Sequence, residues 1–327
     1  MNENAIAAHG LVKRFGDLAA LDGVDLEVPR GTVFGLLGPN GAGKTTAVRI
    51  LATVLAPDGG TAEVLGHDVV READTVRSLI GLAGQNAAVD PNLTGFENLR
   101  LIGKLAQLPS AEIPPRANEL LERFELLDAR DRPVKTYSGG MRRRLDVAAA
   151  LVQRPPVLFL DEPTTGLDLP SRNALWEMIH ELVRGGTTVL LTTQYLEEAD
   201  RLAEKISVVD HGRVIAHGTP SELKSTLGNT VIEVVMTDID TATRAESVLA
   251  SVGPQPAERE GSTLTISTMD GTALTMDVLR ALDAAQLPPT NLTLREPSLD
   301  DVFLSLTGHR AETEAEEPEP VGGRRRR

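Results

Sequence analysis

The sequence predicts an α/β fold in which short buried strands alternate with helices, and three observations carry that prediction. The apolar run TVFGLL (32–37) leads through a glycine-rich turn into a helical pattern, and a second apolar run, VLFLDEP (157–163), ends in two acids. Between residues 93 and 152 the apolar spacing is mostly helical, and after residue 225 strand and helix patterns alternate again. We therefore expect an α/β domain with an inserted helical subdomain, followed by a small C-terminal α/β domain.

Apolar runs of strand length recur along the first two thirds of the chain, and helical patterns lie between several of them. We predict strands near 24–28, 32–37, 61–65, 79–84, 157–161, 187–193, 205–210 and 213–217. The predicted domains are residues 1–224, with the helical subdomain at about 93–152, then residues 225–308, then a tail at 309–327 without the apolar content to fold.

Composition narrows the possible classes of protein. The chain has 327 residues, 41% hydrophobic and 3% aromatic, which suits two domains with aliphatic cores. It contains no cysteine, which excludes disulfides and cysteine-ligated zinc, and its six histidines form no H-E-x-x-H string. We expect neither a secretory signal nor a membrane-spanning helix, since no apolar run approaches about 18 residues. The net charge of −14 argues against broad nucleic-acid binding.

The glycine-rich turn matches the phosphate-loop pattern G-x-x-x-x-G-K-[ST] between a predicted strand and a predicted helix. Its glycines leave room for phosphates against the main chain, and backbone N–H groups make the cradle. Lys44 would contact the β- and γ-phosphates of ATP, and the Thr45 hydroxyl would ligate Mg²⁺. The alternative is an accidental match in a plain turn. The predicted nucleotide-binding residues of this loop are Gly38, Pro39, Asn40, Gly41, Ala42, Gly43, Lys44, Thr45 and Thr46.

Two adjacent carboxylates, Asp161 and Glu162, end the second apolar run. Such a pair is costly at the end of a buried strand unless a positive charge compensates it, and a bound metal supplies one. Asp161 would hold the Mg²⁺, usually through water, and Glu162 would polarise or deprotonate the water that attacks the γ-phosphorus. The alternative is a surface turn closed by Pro163.

The string YSGGM (137–141) lies between these two motifs, and with it the chain resembles the ATP-binding subunits of ABC transporters. Ser138 suits a helix N-cap, and Gly139 and Gly140 would open the helix with bare N–H groups that attract an anion. The family's usual LSGGQ is altered here at both ends, to Tyr137 and Met141. The resemblance implies a phosphate-loop NTPase cassette of the ABC type, whose ATP site is completed by the signature loop of a second copy.

Further roles are implied by the resemblance alone, which extends over about residues 5–220. Gln85 matches the glutamine that contacts Mg²⁺ and the γ-phosphate, and Phe15 matches the aromatic that stacks on adenine, with ordinary core packing as its alternative. Asp168, in the string GLD, matches a residue that crosses the dimer interface. Residues 86–96 are the candidate contact surface for a membrane subunit, with a plain polar loop as the alternative.

Gln194 stands where most members of the family carry a histidine that contacts the γ-phosphate. Glutamine takes up no proton but still donates an amide N–H, so a sensing role survives and slow turnover is expected. Three features, namely Gln194, the string YSGGMRRR and the segment REPSLDDVFLSLTG (295–308), make the chain resemble the daunorubicin-resistance branch of drug and lipid exporters. The implied catalytic residues are Glu162, Gln85 and Gln194, and the implied metal ligands are Thr45, Gln85 and Asp161.

The resemblance implies a peripheral subunit at the cytoplasmic face of the cell membrane. It would form a homodimer, bind ATP and Mg²⁺, and drive a separate integral membrane permease that exports a hydrophobic drug or lipid. No nucleic-acid partner is expected. Two alternatives remain: a soluble ATP-dependent switch acting on nucleic acid or ribosomes, and an ATP sensor with negligible hydrolysis.

The last hundred residues add no catalytic motif. We predict strands at 230–237, 262–268 and 291–296 and helices at 243–252 and 272–285, with packing or dimer support favoured over ligand sensing. A docking helix at 298–308 would place Leu299, Val302, Phe303 and Leu306 on one face.

Two basic runs remain. Arg142 to Arg144 point different ways on a helix, so we expect a solvated or interface role for them. Arg324 to Arg327 would cap an acidic tail in solvent or touch anionic lipid head groups.

Overall fold

The computed structural model describes residues 3–84, 88–228, 230–250, 252, 257–268 and 271–307. Its strands are, in chain order, β1 (Asn4–Phe15), β2 (Leu18–Pro29), β3 (Val33–Leu37), β4 (Gly59–Val64), β5 (His67–Asp68), β6 (Ile80–Ala83), β7 (Val157–Asp161), β8 (Thr188–Thr193), β9 (Lys205–Asp210), β10 (Arg213–Gly218), β11 (Thr230–Val235), β12 (Glu258–Glu260), β13 (Thr263–Thr268) and β14 (Asn291–Arg295). Its helices are α1 (Lys44–Leu51), α2 (Ala73–Leu79), α3 (Gly95–Leu105), α4 (Ile113–Arg123), α5 (Gly139–Ala150), α6 (Leu169–Arg184), α7 (Leu196–Leu202), α8 (Pro220–Ser225), α9 (Ile239–Leu249), α10 (Gly271–Ala284) and α11 (Leu299–Thr307).

The strands form three sheets. A six-stranded sheet in the order β10-β9-β3-β8-β7-β6 is parallel from β6 to β9, and β10 pairs with β9 antiparallel. An antiparallel sheet, β2-β1-β4-β5, covers one side through a core that includes α1. The third sheet, β12-β13-β11-β14, belongs to the C-terminal unit. The carboxyl ends of β3, β8 and β7 therefore lie side by side at one edge, where ligands bind in open α/β sheets.

Each strand predicted before residue 220 overlaps an observed strand, because these strands are continuous or alternating apolar runs. Strands β1 and β5 were missed. In β1 the apolar alternation breaks at Gly10, whose φ is +59°, and the pairing of β1 with β2 shifts register more than once. Such irregularities hide a strand from a strict period of two.

Three helices, α3, α4 and α5, fill the region predicted as a helical subdomain. Helix α3 begins at a capping box in which Thr94 and Glu97 satisfy each other's backbone N–H groups. The apolar faces of α3, α4 and α5 pack in one core with α6 and one face of the six-stranded sheet. Phe124, Leu145 and Trp176 are fully buried in this core. The insertion is thus packed onto the strand layer that ends in Asp161.

The C-terminal sheet carries α9 and α10 on one face, over a core of its own. Helix α9 begins at Ile239, four residues before the predicted start, because the Asp238 carboxylate caps it by accepting from the backbone N–H of Thr241. Ile239 is exposed, so the apolar spacing of the buried face gave no sign of the first turn.

Helix α11 leaves this unit and packs against the cassette, as the predicted docking helix. Leu299, Val302 and Phe303 are buried in a cluster with residues of β3, α7, β9 and α8. The prediction for Leu306 is wrong, since that side chain is 44% exposed. Arg295, at the end of β14, forms a two-pronged ion pair with the buried Asp301, with N–O distances of 2.6 and 2.8 Å.

Among the residues that the structure describes, no helix has both the length and the apolar content to cross a membrane. The predicted tail at 309–327 lies outside the described residues.

Candidate functional site

The phosphate loop joins β3 to α1 as the sequence predicts, and two of its glycines are sterically required. A Cβ on Gly38 would lie 2.2 Å from the carbonyl oxygen of Val209. Gly43 has a φ of +111°, and its Cβ would lie 2.4 Å from the carbonyl oxygen of Ala20. The loop thus presses against β9 on one side and β2 on the other, and its polar main chain is left to face the cleft.

Lys44 is buried inside the curl of this loop, with 4% of its surface exposed. Its ammonium donates to the carbonyl oxygens of Gly38, at 2.7 Å, and Pro39, at 3.0 Å, and lies 3.8 Å from the Glu162 carboxylate. A lysine charge at this depth is stable because these acceptors surround it. The loop therefore keeps a cation at the point where the pattern predicts phosphate oxygens.

Asp161 and Thr45 meet across the cleft, as predicted from two motifs more than a hundred residues apart. The Thr45 hydroxyl donates to Asp161 Oδ1 at 3.1 Å, and the Thr192 hydroxyl donates to the same oxygen at 2.6 Å. Asp161 is 4% exposed. A hydroxyl and a carboxylate at this distance are hard oxygen donors of the kind that Mg²⁺ prefers, so these residues fit the ion.

Glu162 has a left-handed backbone with φ of +50°, which is uncommon for a residue other than glycine. Its backbone N–H reaches the carbonyl and the hydroxyl oxygens of Thr192, both at 3.1 Å. Thr192 at the end of β8 thus fixes both acidic residues, and it was not predicted. The signal in the sequence was a hydroxyl residue ending an otherwise apolar strand.

A cleft of about 320 Å³ opens over the loop, lined by Phe15, Leu18, Ala20, residues 40–46 and Glu162. The Phe15 ring is 51% exposed and sits at this cleft, which contradicts the alternative of ordinary core packing. The Lys13 ammonium lies 5.8 Å from the centroid of the ring. An exposed aromatic beside a phosphate loop offers a face on which a base can stack.

Gln194 follows β8, between the loop after β3 and the acids at the end of β7. Its side-chain Oε1 is buried and has no hydrogen-bond partner among the residues that the structure describes. A buried amide oxygen without a partner is unusual. Gln85, the other predicted glutamine, and Asn86 lie outside the described residues, so the structure does not place them.

The signature residues lie at the start of α5. Ser138 is the N-cap and its hydroxyl accepts from the backbone N–H of Met141 at 3.2 Å, as the sequence predicts. A Cβ on Gly139 would meet nothing within 4 Å, so this helix start is open, whereas one on Gly140 would lie 2.5 Å from the Ser171 hydroxyl. None of Ser138, Gly139 and Gly140 lines the cleft over Lys44 in the described part of the chain.

Asp168 is the N-cap of α6, where its carboxylate accepts from the backbone N–H of Ser171 at 3.1 Å. The hydrogen bonds from Ser171 hold the pKa of this carboxyl below its ordinary value. The side chain is exposed on the surface that also carries the start of α5, and Leu167 beside it is buried.

The expectation for Arg142 to Arg144 is wrong for Arg143. Its side chain turns inward and donates to main-chain carbonyls at the ends of β6 and β7 instead of facing solvent. Arg142 is exposed as expected, and Arg144 pairs with Glu125 at the surface. Helical spacing predicts that the three arginines diverge but does not predict what each one meets.

A larger cleft, of about 930 Å³, lies between β2, β9, β10 and α8, away from the phosphate loop. Three of the charged residues that line it are engaged within the fold, since Asp22 pairs with Arg213 and Glu222 caps α8. None of the predicted site residues that the structure describes lines this cleft.

Glu198 on α7 is a buried carboxyl that sequence reasoning missed. It accepts from the Trp176 indole N–H at 3.2 Å, and its other oxygen has no partner among the described residues. Burial raises the pKa of this carboxyl above its ordinary 4.5, although hydrogen bonds and the nearby Arg172 oppose the rise. The protonated form therefore persists to higher pH than it does in an ordinary glutamate.

We expect Glu198→Gln to change how the free energy of unfolding depends on pH. Between pH 4.5 and its folded pKa, the native chain holds a proton that the unfolded chain has lost, so wild-type stability falls as pH rises through this window. The variant does not ionise and should gain on the wild type by about 1.4 kcal/mol for each unit of the pKa shift. Urea unfolding at about pH 5 and about pH 8 measures this, with the exposed neighbour Glu197→Gln as control. Parallel behaviour of all three proteins would contradict the prediction.

The comparisons with known proteins agree with this geometry. Residues 21–165 match the family model described as ABC transporter, and residues 218–307 match one described as the C-terminal domain of DrrA1-3-like ATP-binding proteins. The chain is 52% identical over 322 residues to the daunorubicin/doxorubicin resistance ATP-binding protein DrrA of Streptomyces peucetius, covering 97% of this chain and 98% of that protein. It is 54% identical over 321 residues to DrrA2 of Streptomyces coeruleorubidus, covering 97% and 99%.

A solved structure of CbiO1 from Clostridium perfringens, part of the ABC transporter complex cbiONQ, superimposes with a TM-score of 0.63 at 26% identity. The match covers 69% of this chain and 94% of that one. The fold and the site therefore define a nucleotide-binding cassette, and the chain belongs to the ATP-binding subunits of ABC transporters, with the ATPase activity of that family. Within that family it belongs with the DrrA-like ATP-binding proteins, including their C-terminal domain. The predicted family is confirmed, and the soluble switch on nucleic acid or ribosomes is not favoured.

Proposed function

We propose that two copies of this chain bind and hydrolyse MgATP between them and thereby drive a separate integral membrane permease. The single observation that carries the proposal is the separation of the two halves of the site. The cleft over Lys44 is lined by none of the signature residues Ser138, Gly139 and Gly140, and the start of α5 is open at Gly139, where an added Cβ would meet nothing within 4 Å. The phosphate loop of one copy and the signature loop of a second copy would therefore bind the same triphosphate from opposite sides.

On the phosphate-loop side, the Lys44 ammonium would exchange its two carbonyl acceptors for phosphate oxygens, and the loop N–H groups would bind beside it. The exposed ring of Phe15 would stack on adenine, and Thr46 would contact an outer phosphate oxygen. Thr45 and Asp161 would hold Mg²⁺, which neutralises phosphate charge when bound. Gln85 would be a further ligand by resemblance.

Hydrolysis would depend on Glu162 as the group that orients the attacking water and takes its proton. Thr192 holds the backbone N–H of Glu162, so the main chain that carries this carboxylate is anchored to a neighbouring strand. The Gln194 side chain, whose amide oxygen has no partner among the described residues, would donate its amide N–H to a γ-phosphate oxygen.

The second copy would contribute Ser138, Gly139 and Gly140 to the far side of the nucleotide, and Asp168 would cross the same interface. The chain would then sit at the cytoplasmic face of the membrane, held by its permease. A hydrophobic drug is the cargo that the names of the relatives favour, since those proteins are named for resistance to daunorubicin or doxorubicin, and a lipid is the alternative cargo that the resemblance implies.

Mixing two inactive variants tests whether the site is shared. We expect Lys44→Met and Ser138→Arg each to abolish turnover alone. In a mixed dimer both lesions fall in one site and the other site is intact. Half of randomly paired dimers are mixed, so about a quarter of wild-type turnover should return if the two sites act independently.

Two controls make the mixing experiment decisive. Lys44→Met is mixed with an equal amount of the double variant Lys44→Met/Glu162→Gln, and Ser138→Arg with Ser138→Arg/Glu162→Gln. Both mixtures should stay inactive, because no intact site is formed. A self-contained site in each chain would give no recovery in the first mixture, and that result would contradict a shared site whose two copies act independently.

A further inference from the structure

Arg143 connects the signature helix to the main chain on both sides of Glu162. Its guanidinium donates to the carbonyl oxygens of Asp161, at 3.0 Å, and Pro163, at 2.8 Å, which flank Glu162 in the sequence. A third hydrogen bond, of 2.5 Å, reaches the carbonyl oxygen of Gly84 just after β6. One side chain of α5 thus binds the ends of two neighbouring strands.

A carboxylate on the same helix holds Arg143 in place. Asp146, one turn further along α5, lies 3.4 Å from the guanidinium and accepts from the backbone N–H of Ala88 at 2.7 Å. Both side chains are largely buried, with 11% of Arg143 and 1% of Asp146 exposed. Burial lowers the pKa of the Arg143 guanidinium, and the nearby carboxylates of Asp146, Asp161, Glu198 and Glu162 oppose that fall.

This geometry is specific to Arg143 among the three consecutive arginines. Arg144, the next residue on the same helix, pairs with Glu125 at 2.9 Å, and that glutamate is 78% exposed. A guanidinium has five donors in a rigid fork, and three of the acceptors here are main-chain carbonyls in a fixed arrangement. A lysine has the charge but not this geometry.

We propose that Arg143 is a positioning residue for ATP hydrolysis, which fixes the main chain around Glu162 to the helix that begins at Ser138. The inference rests on the roles proposed above for Glu162 and Ser138. When the start of α5 moves toward the nucleotide of the opposite site, the same rigid helix carries the backbone of Glu162 with it. The position of the general base then depends on the position of the signature loop of its own chain.

This coupling separates turnover from nucleotide binding. The three acceptors of Arg143 belong to residues outside the phosphate loop, and Lys44 keeps its own contacts with Gly38 and Pro39. Loss of the guanidinium should therefore misplace Glu162 and leave the phosphate cradle intact. A displacement of about 1 Å in a catalytic group is enough to cost roughly 100-fold in rate.

The test compares Arg143→Gln and Arg143→Lys with Arg144→Gln in the full chain. Steady-state hydrolysis gives kcat and KM, and a fluorescent ATP analogue gives the dissociation constant. We expect Arg143→Gln to lower kcat roughly 10- to 100-fold with an ATP dissociation constant within about twofold of wild type. Arg143→Lys should recover part of the rate, because an ammonium reaches some of the carbonyls. Arg144→Gln should keep wild-type kcat.

Equal kcat for Arg143→Gln and Arg144→Gln would overturn the proposal, as would parallel loss of kcat and ATP binding in Arg143→Gln. If Arg143→Gln does not fold, Arg143→Lys and Asp146→Asn decide the question. Asn keeps the acceptor for Ala88 but removes the charge beside the guanidinium, so kcat should fall by a few fold, and full rates in both variants would overturn the inference. Glu162→Gln is measured in parallel. Normal turnover in that variant refutes the proposed base itself, whereas its loss together with normal Arg143 variants refutes only the coupling.

Discussion

Replacing Glu162 with glutamine is expected to lower ATP turnover by about 100-fold or more while leaving MgATP bound. Glutamine keeps the size of the side chain and cannot take the proton of the attacking water. The backbone of residue 162 should stay in place, because its N–H is held by Thr192 and not by its own side chain. Lys44 keeps both carbonyl acceptors, so the cradle is unchanged. Phosphate release and nucleotide binding by the same protein measure the two effects.

Glu197→Gln is the matched control for this prediction, since it makes the same change at an exposed glutamate in the first turn of α7. It should hydrolyse ATP like the wild type. Wild-type rates in Glu162→Gln would remove Glu162 from the mechanism. Negligible hydrolysis by both the wild type and the variant would instead favour the ATP sensor.

Lys44→Met should weaken ATP binding by about 10- to 100-fold, and with it all turnover at moderate ATP concentration. Methionine fills a similar volume but has no ammonium to bind phosphate. It also leaves the carbonyl oxygens of Gly38 and Pro39 without their donor and removes the cation 3.8 Å from Glu162. Titration with a fluorescent ATP analogue measures the loss directly.

Lys224→Met is the control for charge removal, because that lysine pairs at the surface with Asp200 on a different part of the cassette. Such exposed pairs contribute little, so its ATP affinity should match the wild type. Equal affinities for Lys44→Met and Lys224→Met would mean that the buried ammonium does not meet the phosphates.

Much of the fold follows from local pattern. Strands β3, β7 and β8, which lead to Gly38, Glu162 and Gln194, are short runs rich in Val, Leu and Phe, and such runs are typical of strands buried in a parallel sheet. The start of α5 was also predictable, because Ser138 is a good N-cap and two glycines follow it. Strand β1 was not, since its pairing shifts register around Gly10.

The site was predictable where one segment carries the chemistry and unpredictable where distant segments meet. Lys44 and Glu162 each stand within a recognisable string. Thr192, Arg143 and Glu198 gain their importance only from partners far along the chain, at Asp161, Gly84 and Trp176. A polar residue in an apolar strand or helix can be noticed in a sequence, but its partner depends on which strands become neighbours.

The docking of α11 has a consequence for exchanging parts between relatives. Phe303 and Val302 share one apolar cluster with Leu37, the residue directly before the phosphate loop, and with Ile206 and Leu223. A chimera that takes its C-terminal domain from another exporter subunit would replace the α11 side chains of this cluster and keep the cassette residues that they pack against. Poor packing there would destabilise β3, the strand that leads into the phosphate loop. Such hybrids should therefore exchange α11 and the cassette residues that contact it together.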